Sequence, residues 1–363
     1  MVPGPWLSRM RFATECTIMH LAMFSWRATG PNPLMSTYKD LVRALAYRSG
    51  LLSFLHNIRN RDTLTVFMFH RVLPATSGAY AAAEREYTFT REGFAKCLDF
   101  IRKHYNLIDV DQVTAHVESG APLPARAGLI TFDDGWRDTA VHALPELEKR
   151  QLPGLLFLAT SVLDDDDSTW WQDALVQTLA REDNLASLES SLGISGVVAI
   201  DRRTRIYNVT AAVGEMSPDA RLEFLHSCHA PLTSERQMLS RADVRKLGSI
   251  SLAGHGHSHV PLTHSADPLG DLQRSHGILQ ELGAHAGVMS FPHGAVDDAV
   301  RTAARRAGFT TCFSSKPVLM DARKPWPDDI GRIHIPENAW TTGANGISPA
   351  KLATFLFFRP SAA

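Results

Sequence analysis

Short apolar segments alternate with amphipathic segments along much of this chain, and that alternation limits the fold more than any other feature of the sequence. Residues 128–132 indicate a buried strand, residues 138–150 a helix with one apolar face, and residues 155–159 another strand. The pattern returns with three further strands, at residues 250–253, 288–291 and 309–313. Strands connected through helices form parallel sheets. We therefore predict an α/β fold, an irregular (β/α) barrel, with an open doubly wound sheet as the alternative.

Residues 164–248 interrupt the alternation. They begin with four consecutive aspartates, continue through Trp170 and Trp171, and are otherwise mostly helical or polar in pattern. We interpret them as a helical insertion into the α/β core, with the aspartate run as a solvated loop. On this basis residues 1–60 are an N-terminal extension with an amphipathic helix, residues 61–345 are the barrel, and residues 346–363 are a C-terminal tail.

The composition excludes several classes of protein. Of 363 residues, 44% are hydrophobic, which is too many for a disordered chain. The 37 Lys and Arg balance 38 Asp and Glu and leave a formal charge of −1, so we expect no nucleic-acid partner. The sequence has no run of about 18 apolar residues, so we expect no transmembrane span. The cysteines show no CxxC spacing and are interpreted as small apolar residues: Cys16, Cys97, Cys228 and Cys312.

The apolar segment at residues 16–26 is relevant to the cellular location of the protein. His20 and Ser25 interrupt this segment, and no clean small-residue cleavage site follows it. We therefore favour a cytoplasmic location slightly over export, and both stay open. A further interpretation is that residues 1–34 lie upstream of the natural start and that Met35 begins the protein.

Two adjacent carboxylates follow a predicted buried strand in the segment TFDDG at residues 131–135. Folds of the α/β class place their active sites at this end of their strands. Side chains alternate along a strand, so Asp133 and Asp134 can take different roles, one binding a metal and the other handling a proton. Carboxylates this close raise the pKa of one of them unless a cation separates them, which favours a metal. The alternative is a turn that caps the next helix.

A histidine-rich segment, GHGHSH at residues 254–259, follows another predicted strand. His255 and His259 are four residues apart, so a helical turn would present both imidazoles on one face to one cation. His257 would join them only if the segment were extended. Two nitrogens and one carboxylate leave a metal position for water, which becomes acidic enough to attack near neutral pH. The alternative is a surface loop with adventitious metal affinity.

Two other histidines lie at strand ends. His293 belongs to SFPHG at residues 290–294, where a Pro-x-Gly turn can aim a backbone N–H at a developing oxyanion. A simple strand-ending turn is the alternative. His70 closes the predicted strand at residues 64–69 and could protonate a leaving amine. Without further context, a lone histidine in that position is more often structural.

In their order along the chain, the TFDDG, GHGHSH and FPHG motifs resemble those of the polysaccharide deacetylase family, carbohydrate esterase family four, also called the NodB homology domain. FHRVLP at residues 69–74 resembles the N-terminal signature of one bacterial branch, as does the stretch around WQD at residues 171–173. The resemblance covers roughly residues 64–340. It implies a distorted (β/α) barrel that hydrolyses an N-acetyl group, sometimes an O-acetyl group, on a sugar, glycolipid or polysaccharide and releases acetate.

The resemblance also implies which residues form the site. By motif position, Asp134, His255 and His259 hold a divalent metal, usually zinc, and Asp133 is the general base. In family members whose motifs are circularly permuted, the catalytic acid comes from an early strand, a position that His70 fits. The backbone N–H of His293 would stabilise the oxyanion.

Several positions depart from the family pattern. Gly256 stands where Ser or Thr is usual, and Ser290 and His293 stand where an Arg and a Tyr are frequent. The late Leu-x-His acid is not evident, and His334 is a poor substitute for it. Two alternatives therefore stay open. One is a deformylase or other amidohydrolase that acts on a lipid- or nucleotide-linked sugar with the same residues, and the other is a barrel that binds glycans without turnover.

Overall fold

The strands of this protein are short and run mostly parallel to one another. The computed structural model describes residues 33–163, 170–180, 185–194, 202–230, 232, 235–248, 250–342 and 346–361. In chain order the strands are β1 (Thr63–Phe69), β2 (Arg71–Leu73), β3 (Thr88–Thr90), β4 (Asn106–Leu107), β5 (Ala127–Phe132), β6 (Leu155–Leu158), β7 (Ser251–Gly254), β8 (Val288–Ser290), β9 (Thr311–Phe313), β10 (Met320–Asp321), β11 (Asp329–Ile330), β12 (Ile333–His334), β13 (Thr341–Thr342) and β14 (Gly346–Ile347).

Ten of these strands form one sheet in the order β10-β1-β5-β6-β7-β8-β9-β11, with β4 beside β5 and β12 beside β1. Strand β10 is antiparallel to β1, and the other pairs are parallel. Strand β11 extends the sheet beyond β9, whereas β12 lies against β1. Only Gly331 and Arg332 separate β11 from β12, so these two residues cross the seam, the gap between the β9–β11 end of the sheet and the β1 end. The sheet is therefore an irregular, nearly closed barrel, as predicted.

Helices connect the strands and pack against the sheet. In chain order they are α1 (Pro33–Arg48), α2 (Leu51–Arg59), α3 (Gly78–Ala82), α4 (Arg91–His104), α5 (Val110–Ser119), α6 (Leu144–Glu148), α7 (Trp171–Ala180), α8 (Leu185–Ser191), α9 (Arg202–Gly214), α10 (Pro218–Ser227), α11 (Arg241–Val244), α12 (Pro268–Glu281), α13 (Asp298–Ala307) and α14 (Pro349–Phe357). None of the helices in the described ranges combines the length and the apolar character that crossing a membrane requires.

Local sequence signals explain where several elements begin and end. Every residue of β1 and β5 is buried, as is typical of parallel strands covered on both faces. Helix α4 begins after Thr90, whose side chain accepts a hydrogen bond from the N–H of Gly93, and α13 begins after Asp297, which accepts one from Val300. Helix α13 ends at Gly308, which forms the C-cap in the left-handed conformation with φ of 106°.

Two segments differ from the predicted elements. We expected a strand at residues 107–110 and a helix at residues 113–119, but α5 already begins at Val110 because Asp109 and Gln112 form a capping box. We also expected one helix over residues 138–150. Instead a π-helical turn, Thr139–Ala143, precedes α6, since Pro145 lacks the N–H that an uninterrupted α-helix would use there.

The predicted helical insertion lies between β6 and β7 and contains α7 to α11. It buries a small apolar core of its own, formed by Leu175, Leu179, Leu185, Leu188, Val209, Val213 and Leu225. Its returning segment contacts the barrel after the two aspartates. The N–H of Leu239 donates to the carbonyl of Gly135 at 2.9 Å, and the N–H of Arg137 donates to the carbonyl of Gln237 at 2.8 Å. The predicted aspartate loop at residues 164–167 lies outside the described residues.

The two ends of the described chain pack together beside the barrel. We expected one amphipathic helix in the N-terminal extension, but Gly50, with φ of 81°, separates α1 from α2. Within the predicted C-terminal tail, α14 contacts both helices and buries Leu356 and Phe357. The limits 1–60, 61–345 and 346–363 stay a prediction, and the apolar segment at residues 16–26 lies outside the described residues.

The described cysteines are free thiols. Cys97 and Cys312 are buried in the apolar cores, in agreement with their interpretation as small apolar residues, and Cys228 is half-buried. Cys16 lies outside the described residues.

Candidate metal centre

Three side chains from two strand ends converge at the mouth of the barrel. Asp134 follows β5, and His255 and His259 follow β7. The Oδ1 atom of Asp134 lies 3.5 Å from Nε2 of His255 and 3.0 Å from Nε2 of His259. All three residues are buried, and one ligand atom from each lies within 4.8 Å of the others. The structure thus brings together the Asp-His-His group expected from the motifs.

The turn after β5 aims Asp134 at the two histidines. Asp134 has φ of 78° and Gly135 has φ of 100°, both outside the range that most side chains adopt. A Cβ on Gly135 would lie 2.5 Å from Cδ1 of Leu158, and the positive φ would strain any other residue, so glycine is favoured at this position. The indole Nε1–H of Trp136 donates to Oδ2 of Asp134 at 2.8 Å. That bond leaves Oδ1 directed at the imidazoles.

The two histidines meet through a loop and not through a helical turn. Residues 255–259 are not helical, and positive φ angles at Gly256 (69°) and His259 (56°) bend the backbone. The carboxylate of Asp271 fixes this loop, because it accepts hydrogen bonds from the backbone N–H groups of His257 at 2.7 Å and Ser258 at 2.9 Å. The expectation of a shared helical face is therefore wrong, although both imidazoles do face Oδ1 of Asp134.

The loop geometry also explains Gly256, which stands where the family pattern has Ser or Thr. A Cβ at this position would lie 3.1 Å from Cγ of Pro292 and 3.2 Å from Oδ1 of Asp271, and the positive φ strains any other residue. His257 does not join the ligand group. Its Nδ1 lies 3.0 Å from the hydroxyl of Thr160, on the other side of the loop.

Both ligand histidines are held through Nδ1. Nδ1 of His255 lies 3.0 Å from the backbone carbonyl of Ser290 and 2.6 Å from its hydroxyl. Nδ1 of His259 contacts Oε1 of Gln172. A carbonyl oxygen only accepts, so each Nδ1 carries a hydrogen, and Nε2 is the ring atom that faces Asp134. Three acceptors directed at one point repel one another unless a cation or protons lie between them.

This donor set fits a divalent cation. Burial by itself raises the pKa of Asp134, but the adjoining imidazoles of His259 and His255 hold it well below its usual range, so the carboxylate is ionised. Nitrogen and oxygen donors bonded to tetrahedral zinc at about 2.0–2.1 Å lie about 3.3 Å apart. The observed separations of 3.0 and 3.5 Å match that spacing. Three protein ligands with a further position open is the arrangement of catalytic zinc sites.

Asp133, the expected general base, forms a buried ion pair with Arg332. Nη1 of Arg332 donates to Oδ1 of Asp133 at 2.6 Å, and Nη2 donates to Oδ2 at 2.9 Å. Burial by itself raises the pKa of Asp133, but the guanidinium lowers it below its ordinary value. Arg332 was not among the predicted site residues. Its only signal was an arginine between two short apolar stretches, in GRIHIP at residues 331–336.

His70, the expected acid, lies at the end of β1 beside Asp133. Its Nε2 is 3.8 Å from Oδ2 of Asp133, and its ring lies near the rings of Tyr87 and His334. Burial lowers the pKa of His70, and the Asp133 carboxylate opposes that shift. His334 is engaged elsewhere, because its Nε2–H donates to the backbone carbonyl of Glu86 at 2.9 Å. Of these two histidines, His70 is the one next to the base.

The third motif borders the same site through His293. This residue has φ of 57°, and its ring centroid lies 4.6 Å from that of His259. Its Nε2–H donates to the backbone carbonyl of His259 at 3.1 Å. Burial, reinforced by the neighbouring His259, lowers the pKa of His293 to about 3, so the imidazole is neutral. The role of its backbone N–H in binding an oxyanion stays a prediction.

Solved structures of deacetylases share this fold. The chain aligns with the Streptococcus pyogenes deacetylase PplD, solved in complex with acetate, at a TM-score of 0.53 and 13% identity, over 82% of this chain and 99% of that one. IcaB from Ammonifex degensii aligns at a TM-score of 0.52 and 17% identity, over 82% and 97% of the two chains. A de-N-acetylase from Aggregatibacter actinomycetemcomitans aligns at 0.52 and 17%, over 81% and 100%.

No protein-family model and no curated protein matches the sequence. At identities of 13–17% the structural likeness concerns the fold, and it confirms the predicted distorted (β/α) barrel. The resemblance to polysaccharide deacetylases is thus confirmed at the level of the fold. The branch assignment based on FHRVLP stays a prediction.

Proposed function

We propose that this protein is a metal-dependent carbohydrate deacetylase that hydrolyses an N-acetyl group on a sugar, glycolipid or polysaccharide and releases acetate. The observation that carries the proposal is the convergence of Asp134, His255 and His259 beside the Asp133–Arg332 pair and His70. The fold shared with solved deacetylases supports the same reaction.

In this proposal Asp134, His255 and His259 hold zinc. When bound, zinc polarises the amide carbonyl and makes a water molecule acidic near neutral pH. The chain contributes a buried, ionised carboxylate and two imidazoles whose tautomers are already set by Ser290 and Gln172.

Asp133 takes the proton of the attacking water. Arg332 occupies one lone pair on each carboxylate oxygen, and each oxygen has a second, so a water molecule can still donate to Asp133. The water oxygen adds to the carbonyl carbon, and the C–N bond then breaks. His70, whose Nε2 lies 3.8 Å from Oδ2 of Asp133, passes that proton to the departing sugar amine, and the backbone N–H of His293 stabilises the oxyanion. Acetate and a free amine are the products.

Acetate release tests this proposal. The purified protein is incubated with N-acetylglucosamine oligomers, first as prepared, then after removal of metal with a chelator, and finally after zinc is returned. We expect turnover that disappears with the metal and returns with it. Turnover that survives exhaustive chelation would contradict the proposed role of the metal.

The two alternative functions give different results in the same experiment. A deformylase or other amidohydrolase releases formate or another acid from a lipid- or nucleotide-linked sugar. A glycan-binding barrel binds the oligomers without releasing acid.

The cytoplasmic location is also a proposal, and it favours a glycolipid or nucleotide-sugar precursor as substrate. Fractionation of cells that express the full chain tests that location.

A further inference from the structure

Gln172, near the start of α7 in the insertion, contacts His259 with both ends of its amide. The residue is only 4% exposed. Its Oε1 faces Nδ1 of His259, and its Nε2 donates to the backbone carbonyl of His259 at 2.8 Å. One residue of the insertion therefore holds both the ring and the backbone of a proposed metal ligand.

Trp170 determines which way the amide of Gln172 points. The indole Nε1–H of Trp170 donates to Oε1 of Gln172 at 2.8 Å, and an indole N–H cannot accept a hydrogen bond. The amide oxygen, and not the amide nitrogen, must therefore face both Trp170 and the ring of His259. Because that oxygen only accepts, Nδ1 of His259 carries a hydrogen, and Nε2 is the ring atom that faces Asp134.

His255 is held differently. Its Nδ1 lies 3.0 Å from the backbone carbonyl of Ser290, an acceptor that no side-chain substitution removes. The hydroxyl of Ser290, at 2.6 Å, is a second partner for the same nitrogen. The tautomer of His259, in contrast, depends on the side chain of Gln172.

An ion-pair network supports α7 in this position. Nε of Arg71 donates to Oδ2 of Asp138 at 2.8 Å, and Nη1 of Arg71 lies 3.7 Å from Oδ2 of Asp173, the residue after Gln172. The same guanidinium lies over the ring of Trp136, 3.8 Å from its centroid. Arg71 thus connects the insertion to β2 and to the tryptophan that holds the Asp134 carboxylate.

We propose that Gln172 is a positioning residue of the metal centre, which selects the Nδ1–H tautomer of His259 and directs Nε2 toward Asp134. The helical insertion is then an integral part of the site. This inference rests on the metal centre of the proposed function. Partners that orient a metal-bound histidine typically change metal affinity 10- to 100-fold when they are removed.

Zinc affinity, measured by competition with a chromogenic chelator, tests the inference. Gln172→Met removes the acceptor with little change in volume, and we expect it to weaken zinc binding about 10- to 100-fold. We also expect a changed visible spectrum for the Co²⁺-loaded variant, because the ligand ring loses its orientation. Gln172→Glu keeps the acceptor oxygen for Nδ1 but loses the amide donor to the carbonyl of His259, so its loss of zinc affinity should be smaller than that of Gln172→Met.

Gln177→Met is the matched control. It makes the same substitution five residues further along α7, where the amide of Gln177 donates to Asp173 at 2.9 Å, so we expect zinc affinity within about threefold of the wild type. Equal affinity in Gln172→Met and the wild type overturns the inference, and so does an equal loss in Gln172→Met and Gln177→Met.

A measurement on the wild type covers the case in which Gln172→Met does not fold. Nitrogen-15 spectra of the metal-free protein, recorded at a pH above which the ring signals no longer change, report which ring nitrogen of the singly protonated imidazole carries the hydrogen. His259 should be protonated at Nδ1, and protonation at Nε2 overturns the inference. If the wild type binds zinc, depends on Gln172 for it and yet releases no acetate, the proposed function fails while the inference stands.

Discussion

Arg332 and Asp133 are 199 residues apart in the chain and form an ion pair through two hydrogen bonds, with N···O distances of 2.6 and 2.9 Å. Arg332 comes from the two-residue segment between β11 and β12, where the barrel closes, and Asp133 comes from the end of β5. Both side chains are almost fully buried. The closure of the barrel therefore places a positive charge beside the expected base.

We expect Arg332→Met to move the acid limb of the kcat/KM profile to higher pH. Burial raises the pKa of Asp133 and Arg332 lowers it, so removing the guanidinium leaves the pKa higher. A general base works only when ionised, and activity is then lost earlier as the pH falls. A rate profile between about pH 5 and 9 checks this shift. The variant should also lose about 3–5 kcal/mol of stability, because one buried charge is left unpaired.

Arg301→Met is the control for that variant. Arg301, on α13, forms an ion pair at 2.8 Å with the buried Asp329, on β11. Its removal should lower stability without moving the acid limb. An unshifted limb in Arg332→Met would show that Asp133 is not the group that titrates.

His70→Ala should slow hydrolysis of the amide substrate about 10²- to 10⁴-fold while leaving zinc affinity unchanged. The loss should be much smaller with an aryl acetate ester, because a phenolate departs without receiving a proton. Comparing rates on the two substrates checks the role of His70 as acid. His334→Gln serves as the control, since His334 donates to the carbonyl of Glu86 and should affect both rates little. Equal losses on both substrates in His70→Ala would argue against an acid role.

The stability of the protein should fall as the pH drops from about 6.5 to about 4, in part because of His56. Its Nε2–H donates to the carbonyl of His104, and its Nδ1 accepts from the amide of Asn60, an arrangement that only the neutral ring satisfies. Burial lowers the pKa of His56 to about 4. Below pH 6.5 the unfolded chain therefore binds more protons at this residue than the folded protein does. Between pH 7 and pH 5, His56 alone lowers the free energy of unfolding by about 2 kcal/mol.

Urea unfolding at the two pH values measures that loss. His56→Phe preserves the stacking on Phe357, whose ring centroid lies 3.9 Å away, and removes the titrating group. Its stability should depend less steeply on pH than that of the wild type. Identical slopes would mean that the acid sensitivity arises at other groups, such as His104, whose pKa burial also lowers to about 4.

The barrel and the grouping of Asp134, His255 and His259 were predictable because each rests on a pattern that the sequence displays locally. Buried parallel strands such as β1 and β5 leave unbroken apolar runs, and Asp134, His255 and His259 each follow such a run. The helical face expected for the two histidines was wrong because spacing alone does not reveal the positive φ at Gly256 and His259.

Arg332 and Gln172 could not be assigned from the sequence. Arg332 acts only because the chain crosses the seam of the barrel there, and a single arginine between two short strands carries no periodic signal. Gln172 acts because α7 packs against the loop after β7, a tertiary contact between residues 87 positions apart. The roles of both residues depend on contacts that form only in the folded protein.

Zinc binding and acetate release, measured together for Asp134→Asn and Asp133→Asn, test the central claim most directly. Asp134→Asn should lose tight zinc binding and lower kcat/KM at least about 10³-fold, because it removes a ligand of the cation. Asp133→Asn should bind zinc as the wild type does and lose turnover about 10²- to 10⁴-fold, because it removes only the base. Wild-type zinc affinity and turnover in Asp134→Asn would contradict the account.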